Sequence, residues 1–194
     1  MAEVPSSLVD AISRVDAALA SSGLPYAFGG ALALSAWAEP RATRDIDLNV
    51  WVDPGQVTPV LDALETAGVT IDRDRATREA IGRGMFVGFA GEYRVDVFVP
   101  SIPFYDEARR RICRVPFLDR TFPVLSPETL AVFKLLFFRP KDLVDLQRLL
   151  EIRGSEFDAG FVRAAVAGML GEDDRRIEEW DGLVRAVSGG PRSG

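Results

Sequence analysis

The chain contains no histidine and only one cysteine, Cys113, among its 194 residues. These two shortages remove whole classes of chemistry. Ser-His-Asp triads, Cys-His dyads, histidine-ligated metal and imidazole acid–base catalysis are all excluded. One cysteine can form neither an intrachain disulfide nor a cysteine-rich zinc site. Acid–base work must therefore rest on carboxylates, lysine or tyrosine. No run reaches the roughly eighteen apolar residues of a membrane span, and the N-terminus has no charged-then-apolar signal. The expected location is cytoplasmic, with no membrane partner. An apolar fraction of 47% and a charged fraction of 27% are those of an ordinary globular protein. A net charge of −6 argues against a coat of diffuse positive charge on nucleic acid, while 23 Lys and Arg leave room for a local basic groove.

What is present is concentrated between Tyr26 and Asp53. A short apolar approach enters Gly29-Gly30, a helix-compatible run follows from Ala31 to Trp37, and a polar turn leads to Thr43-Arg44-Asp45-Ile46-Asp47. On a strand, residues i and i+2 share a face, so Asp45 and Asp47 converge. Two adjacent carboxylates repel, which points to a bound cation that stabilises both ionised forms. Two glycines at a turn into a helix expose backbone N–H groups at its positive end, where phosphate binds. A phosphate seat beside a divalent-metal seat outlines a nucleoside-triphosphate site.

The rest of the chain reads as alternating strands and helices followed by helices alone. Ser6 or Ser7 caps a first helix with Leu8, Ile12, Val15 and Leu19 at helical spacing, ended by Gly23. Residues 25–28 form a short strand, and Asp45–Val52 the first carboxylate-bearing strand. Asp53-Pro54 reads as the start of a helix carrying Val57, Val60, Leu61 and Leu64. A short strand, Val69–Ile71, comes next, and the highly charged residues 72–84 read as a surface connection. Met85–Ala90 and Tyr93–Val99 make a hairpin about Gly91-Glu92. Residues 102–111 form a helix, and 114–124 one or two strands. Ser126-Pro127-Glu128 starts the helix Thr129–Phe138. Arg139-Pro140 breaks it, and a further helix carries Leu143, Leu146, Leu149 and Leu150. Phe157–Leu170 and Asp173–Val187 complete a small C-terminal bundle. The expected organisation is a sheet domain over 1–125, a helical region over 126–187 and a flexible tail over 188–194.

Several residues carry two readings. In Tyr93–Val99, Asp96 faces away from Val95, Val97 and Val99. It is either a solvated acid on an edge strand or a buried one that needs a partner. Lys134, inside LAVFKLLFF, must snorkel or meet an anion. Lys141 and Asp145, one helical turn apart, suit a surface ion pair. Arg109-Arg110-Arg111, with Arg114 and Arg120, is either a solvated face near a helix end or a phosphate-contacting patch. Thr43 suits a turn hydroxyl at the strand entry, and Arg44 either balances the two acids or orients phosphate.

The Gly29-Gly30 turn with Ala31 and Leu32, followed by the spacing Arg41-x-Thr43-x-Asp45-Ile46-Asp47, resembles the polymerase-β-like nucleotidyltransferase superfamily. It is most similar to the AbiEii/MenT-type toxins of bacterial toxin–antitoxin pairs. The resemblance extends to residues 93–99 and 126–150. It implies an α/β (α+β) nucleotidyltransferase fold, with a mixed central sheet flanked by helices and a C-terminal helical bundle. By the same resemblance, Asp45, Asp47 and Asp96 hold Mg²⁺ or Mn²⁺, and Gly29, Gly30, Arg44 and Lys134 bind the NTP. Asp145 is the functional acid of the C-terminal region, with Asp142 and Asp158 as alternatives. Many superfamily members have Gly-Ser where this chain has Gly-Gly, which leaves phosphate anchoring to backbone amides and Lys134. The implied reaction is transfer of a nucleotide to the 3′ end of tRNA, halting growth. A cognate antitoxin is implied, with a kinase acting on Thr43 as its candidate form. Two alternatives stay open: an aminoglycoside- or lincosamide-type antibiotic nucleotidyltransferase, and a catalytically inactive nucleotide- or partner-binding module.

Overall fold

Residues 7–117 and 120–189 are described by the structure, a computed structural model. They divide between two units, one built from residues 1–32 and 41–125 and the other from 33–40 and 126–194.

In the first unit six strands form one sheet: β1 (Tyr26–Phe28), β2 (Asp45–Val50), β3 (Met85–Ala90), β4 (Tyr93–Phe98), β5 (Cys113–Phe117) and β6 (Arg120–Val124). Their order across the sheet is β3-β4-β2-β1-β6-β5. The sheet is mixed. β2 runs parallel to β4 and antiparallel to β1, and β1 runs parallel to β6. Period-two burial explains β4: Val95 and Val97 are fully buried, while Arg94 and Asp96 face the other way. The first helix, α1 (Leu8–Ser22), is capped by Ser7, whose Oγ accepts from Asp10 N, and packs against α3 (Thr58–Thr66). Helix α2 (Gly30–Trp37) follows β1 directly.

Local chemistry moves some elements from their expected places. Asp53 does not cap a helix; its Oδ1 accepts from Gly55 N in a tight turn, and α3 begins at Thr58 with Pro59 in its first turn. Residues 72–84 are not a surface connection but helix α4 (Arg73–Arg83). Asp72 caps its start, Gly84 in the left-handed region closes it, and Ala76 and Ala80, four apart, supply its buried stripe. Alanine is the best helix former, and two alanines suffice for a helix that covers a sheet edge. Val69–Ile71 reduces to a single bridge, Thr70 with Phe89. Helix α5 (Phe104–Arg110) leads into β5.

The second unit is helical: the later residues of α2, then α6 (Pro127–Phe137), α7 (Pro140–Arg153), α8 (Ala159–Leu170) and α9 (Arg175–Gly189). Ser126 Oγ accepts from Thr129 N and starts α6 as its sequence implies. Phe138 ends it in the left-handed region at φ 54°. Of the tail expected at 188–194, Ser188 and Gly189 continue α9, and 190–194 lie outside the described residues. Leu130, Phe133, Leu146, Leu149, Val162, Val166 and Trp180 make the core. Trp180 is 1% exposed, sits 6.1 Å from Phe157 and donates its indole N–H to the Ala159 carbonyl. Trp180→Ala is expected to destabilise this unit by about 3–5 kcal/mol, read as a lower urea midpoint. An unchanged midpoint would contradict the packing described.

Candidate active site

The candidate residues fall into two groups, one in each unit. In the first unit the β2–β4 register decides the geometry. Asp45 aligns with Arg94, Asp47 with Asp96 and Asn49 with Phe98. Aligned residues on adjacent strands share a face, so Asp45, Asp47 and Asp96 all project to one side of the sheet. Each is half-buried. The strands carrying them are parallel, so no hairpin brings them together.

Thr43 sets where β2 begins. Its hydroxyl accepts from Asp45 N at 3.1 Å and donates to the Asp45 carbonyl at 3.2 Å, the turn role its position implies. Arg44 is largely exposed, 3.7 Å from Glu92. The cation that grips the carboxylate face is instead Arg94, whose Nε and Nη2 lie 2.9 and 2.8 Å from Asp96 Oδ1. Asp96 is thus neither an isolated solvated acid nor an unpartnered buried one. Arg94 was legible only as a residue sharing the Asp96 face; its grip depends on side-chain reach along the strand.

The two glycines have different jobs. Gly29 N–H donates to the Asp47 carbonyl at 2.8 Å, so this amide serves the sheet and is not offered to phosphate. Gly30 opens α2 at φ +51°, and a Cβ there would lie 1.8 Å from Asp47 Oδ2. Only glycine permits both the backbone angle and the contact. Asp47 is thereby seated at the N-terminus of α2, where the helix dipole favours negative charge.

Among the described residues, no three cysteine or carboxylate side chains are gathered closely enough to hold a metal ion unaided. The donor set nevertheless suits a hard divalent cation. Mg²⁺ is usually held by one or two carboxylates plus substrate phosphates, not by an all-protein cage. Asp45 and Asp47, all-oxygen donors two residues apart on one face, fit that description. Tyrosine offers little as a base here. Burial, with the Asp16 hydrogen bond behind it, raises the Tyr26 phenol, and burial alone raises Tyr105.

In the second unit Lys134 meets an anion. Its Nζ donates to Asp145 Oδ2 at 2.6 Å and lies 3.6 Å from Asp142 Oδ1, and all three side chains are at most 5% exposed. Asp145 is therefore buried, not half of a surface pair with Lys141. Asp142 also accepts from Arg139 Nε at 2.7 Å and from the Arg139 backbone N at 3.1 Å. Of the three acids left open by sequence, Asp158 is accounted for as the cap of α8, accepting from Phe161 N. Burial pushes the Asp142 carboxyl up, but the Arg139 hydrogen bonds and the Lys134 charge outweigh it and hold the carboxyl below its ordinary value. Asp142→Asn is expected to cost about 3 kcal/mol at neutral pH, the scale of breaking a buried charge cluster. With a folded pKa below the unfolded 3.8, the stabilisation is present above that value and lost as pH falls through the folded one. Urea unfolding followed below about pH 4 should show wild type losing stability faster than Asp142→Asn. Parallel acid profiles would contradict the assignment.

Comparison with known proteins follows the same outline. The family described as "Nucleotidyl transferase AbiEii toxin, Type IV TA system" matches residues 14–188. A comparison with curated proteins gives no match. Among solved structures, the antibiotic-resistance factor ANT(2'')-Ia in solution is similar at 16% identity, over 96% of this chain and 100% of that one, with a TM-score of 0.59. ANT(2'')-Ia in complex with adenylyl-2''-tobramycin is similar at 18% identity, over 83% and 97% of the two chains, with a TM-score of 0.55. The lincomycin-bound lincosamide antibiotic adenylyltransferase LnuA is similar at 18% identity, over 75% and 98%, with a TM-score of 0.51. Likeness at these identities shows a shared nucleotidyltransferase fold. With the family match spanning nearly all of the sequence, the chain belongs to the AbiEii nucleotidyltransferase toxins of type IV toxin–antitoxin systems.

Proposed function

We propose that the protein transfers a nucleotide from an NTP to the 3′ end of tRNA, with a divalent cation, most simply Mg²⁺, held by Asp45 and Asp47. The observation that carries this reading is the single sheet face shared by Asp45, Asp47 and Asp96 beside the Gly30 start of α2. When bound, the cation supplies charge neutralisation for the nucleotide phosphates. The chain's own residues do the rest. Gly30 leaves room for the Asp47 carboxylate at the positive end of α2, where it is held ready for the cation. Asp96, oriented by Arg94, accepts the proton of the attacking 3′ hydroxyl. That oxygen bonds to the α-phosphorus as the bond to pyrophosphate breaks, and pyrophosphate leaves.

Family membership implies an antitoxin partner. A kinase antitoxin acting on Thr43 fits the local chemistry. Phosphorylation would turn a hydroxyl that both donates to and accepts from the Asp45 backbone into an ester oxygen, and add nearly two negative charges beside the cation-holding acids. The triphosphate would be repelled.

The test is incubation of purified protein with total tRNA, Mg²⁺ and each labelled NTP in turn. Label is expected on tRNA, reduced by more than about a hundredfold in Asp47→Ala, the scale of losing one charge-stabilising group. Thr43→Glu should be silent in the same assay and Thr43→Ser, which keeps the turn hydroxyl, active. No label on RNA, from protein that still binds NTP, would move the acceptor to a small molecule, such as an antibiotic, or to a protein.

A further inference from the structure

The arginines around the end of α5 are not absorbed by the chemistry above. Residues 106–114 hold four arginines, Arg109, Arg110, Arg111 and Arg114, against two acids, Asp106 and Glu107, in a chain whose net charge is −6. Glu107 clamps two of the four: its Oε2 lies 2.6 Å from Arg110 Nη2 and its Oε1 2.5 Å from Arg111 Nε. Arg109 and Arg114 are exposed, and among the described residues neither forms an ion pair. The result is a small cationic surface, held in part by its own acid, with two heads directed to solvent.

The strand register locates this surface relative to the carboxylates. Cys113 aligns with Val124, Val124 with Phe28, Phe28 with Leu48 and Leu48 with Val97. One residue beyond that row, Gly29 N–H bonds the Asp47 carbonyl and Asp47 aligns with Asp96, so the side of the row on which Ile112 precedes Cys113 is the side of these two acids. Arg111 immediately precedes Ile112, so the last turn of α5 enters the sheet from the side of Asp47 and Asp96, while Arg114 lies on β5 itself, aligned with Pro123 one residue to the other side of Cys113. Three strand spacings separate β5 from β2, about 14 Å at roughly 4.8 Å each. A stacked nucleic-acid strand rises about 3.4 Å per phosphate, so that span is about four nucleotides.

We infer that Arg109 and Arg114, with the Glu107-clamped Arg110 and Arg111 behind them, bind the phosphate backbone of an RNA acceptor a few nucleotides from the 3′ end presented to Asp47. This rests on the tRNA reading above and adds the surface that holds the acceptor. Charge complementarity selects the partner, because exposed guanidinium heads beside a carboxylate-bearing site suit a polyanion that carries its own reactive end.

The experiment is a salt titration of total tRNA binding to the full-length protein, without NTP. For Arg109→Gln/Arg114→Gln, affinity is expected to fall about tenfold at low salt, and the slope of log K against log[salt] to become shallower by about 1.5, the release from two phosphates. Arg109→Lys/Arg114→Lys should keep the wild-type slope, and NTP binding should be the same in all three proteins. Wild-type binding of tRNA with an unaltered affinity and slope in the glutamine pair would overturn the surface and leave the tRNA reading standing. Failure of the wild type to bind tRNA would overturn both.

Discussion

The seat of Asp47 against Gly30 is the contact on which the first unit's chemistry depends. A side chain at Gly30 would occupy the position of the Asp47 carboxylate, and its φ of +51° already disfavours one. With the space open, β1 can turn straight into α2 while the Gly29 amide is still bound to the Asp47 carbonyl. That one backbone bond places the helix start, with its positive end, beside the acid. The parallel pairing of β2 with β4 then sets Asp96 next to Asp47, and the Thr43 turn fixes where Asp45 enters the strand. Together these steps put three acids and a helix N-terminus on one face.

A nucleotidyltransferase with a net charge of −6 must manage its charge locally to take an anionic NTP. It does so in two ways. On the sheet, Arg94 lies against Asp96, and a cation shared with substrate phosphates is the natural complement to Asp45 and Asp47. In the helical unit, the charges are buried and satisfied within the protein: Lys134 sits against Asp145 and Asp142, and Arg139 closes the remaining side of Asp142. Buried clusters of this kind contribute little net stability, but removing one member leaves an uncompensated charge. They resist substitution for that reason.

Much of this was legible in the sequence, and the failures have physical causes. Caps at Ser7 and Ser126, the hairpin at Gly91-Glu92 and the valine alternation of β4 rest on near neighbours and could be read directly. Helix α4 was missed because its stripe is two alanines among charged residues, too small to register as an apolar face. The start of α3 was misplaced because Asp-Pro serves a turn as readily as a cap. The i, i+2 spacing of Asp45 and Asp47 implied a shared face, but Asp96 joins them through a parallel register about fifty residues away in sequence, which no local pattern encodes. For Lys134 the need for an anion was visible and its identity was not. The partner lies on the next helix, across a break whose geometry is set by Phe138 in the left-handed region.

The central claim is that the acids of β2 and the glycine at the start of α2 form one nucleotide site. Equilibrium dialysis of labelled NTP in Mg²⁺ against folded Gly30→Ala protein tests it most directly, because this substitution adds only a methyl group and removes no charge. The account predicts binding weaker than wild type by about tenfold or more, equivalent to about 1.4 kcal/mol, as the displaced Asp47 leaves the helix end. Wild-type affinity in a Gly30→Ala protein with a native circular-dichroism spectrum would contradict it.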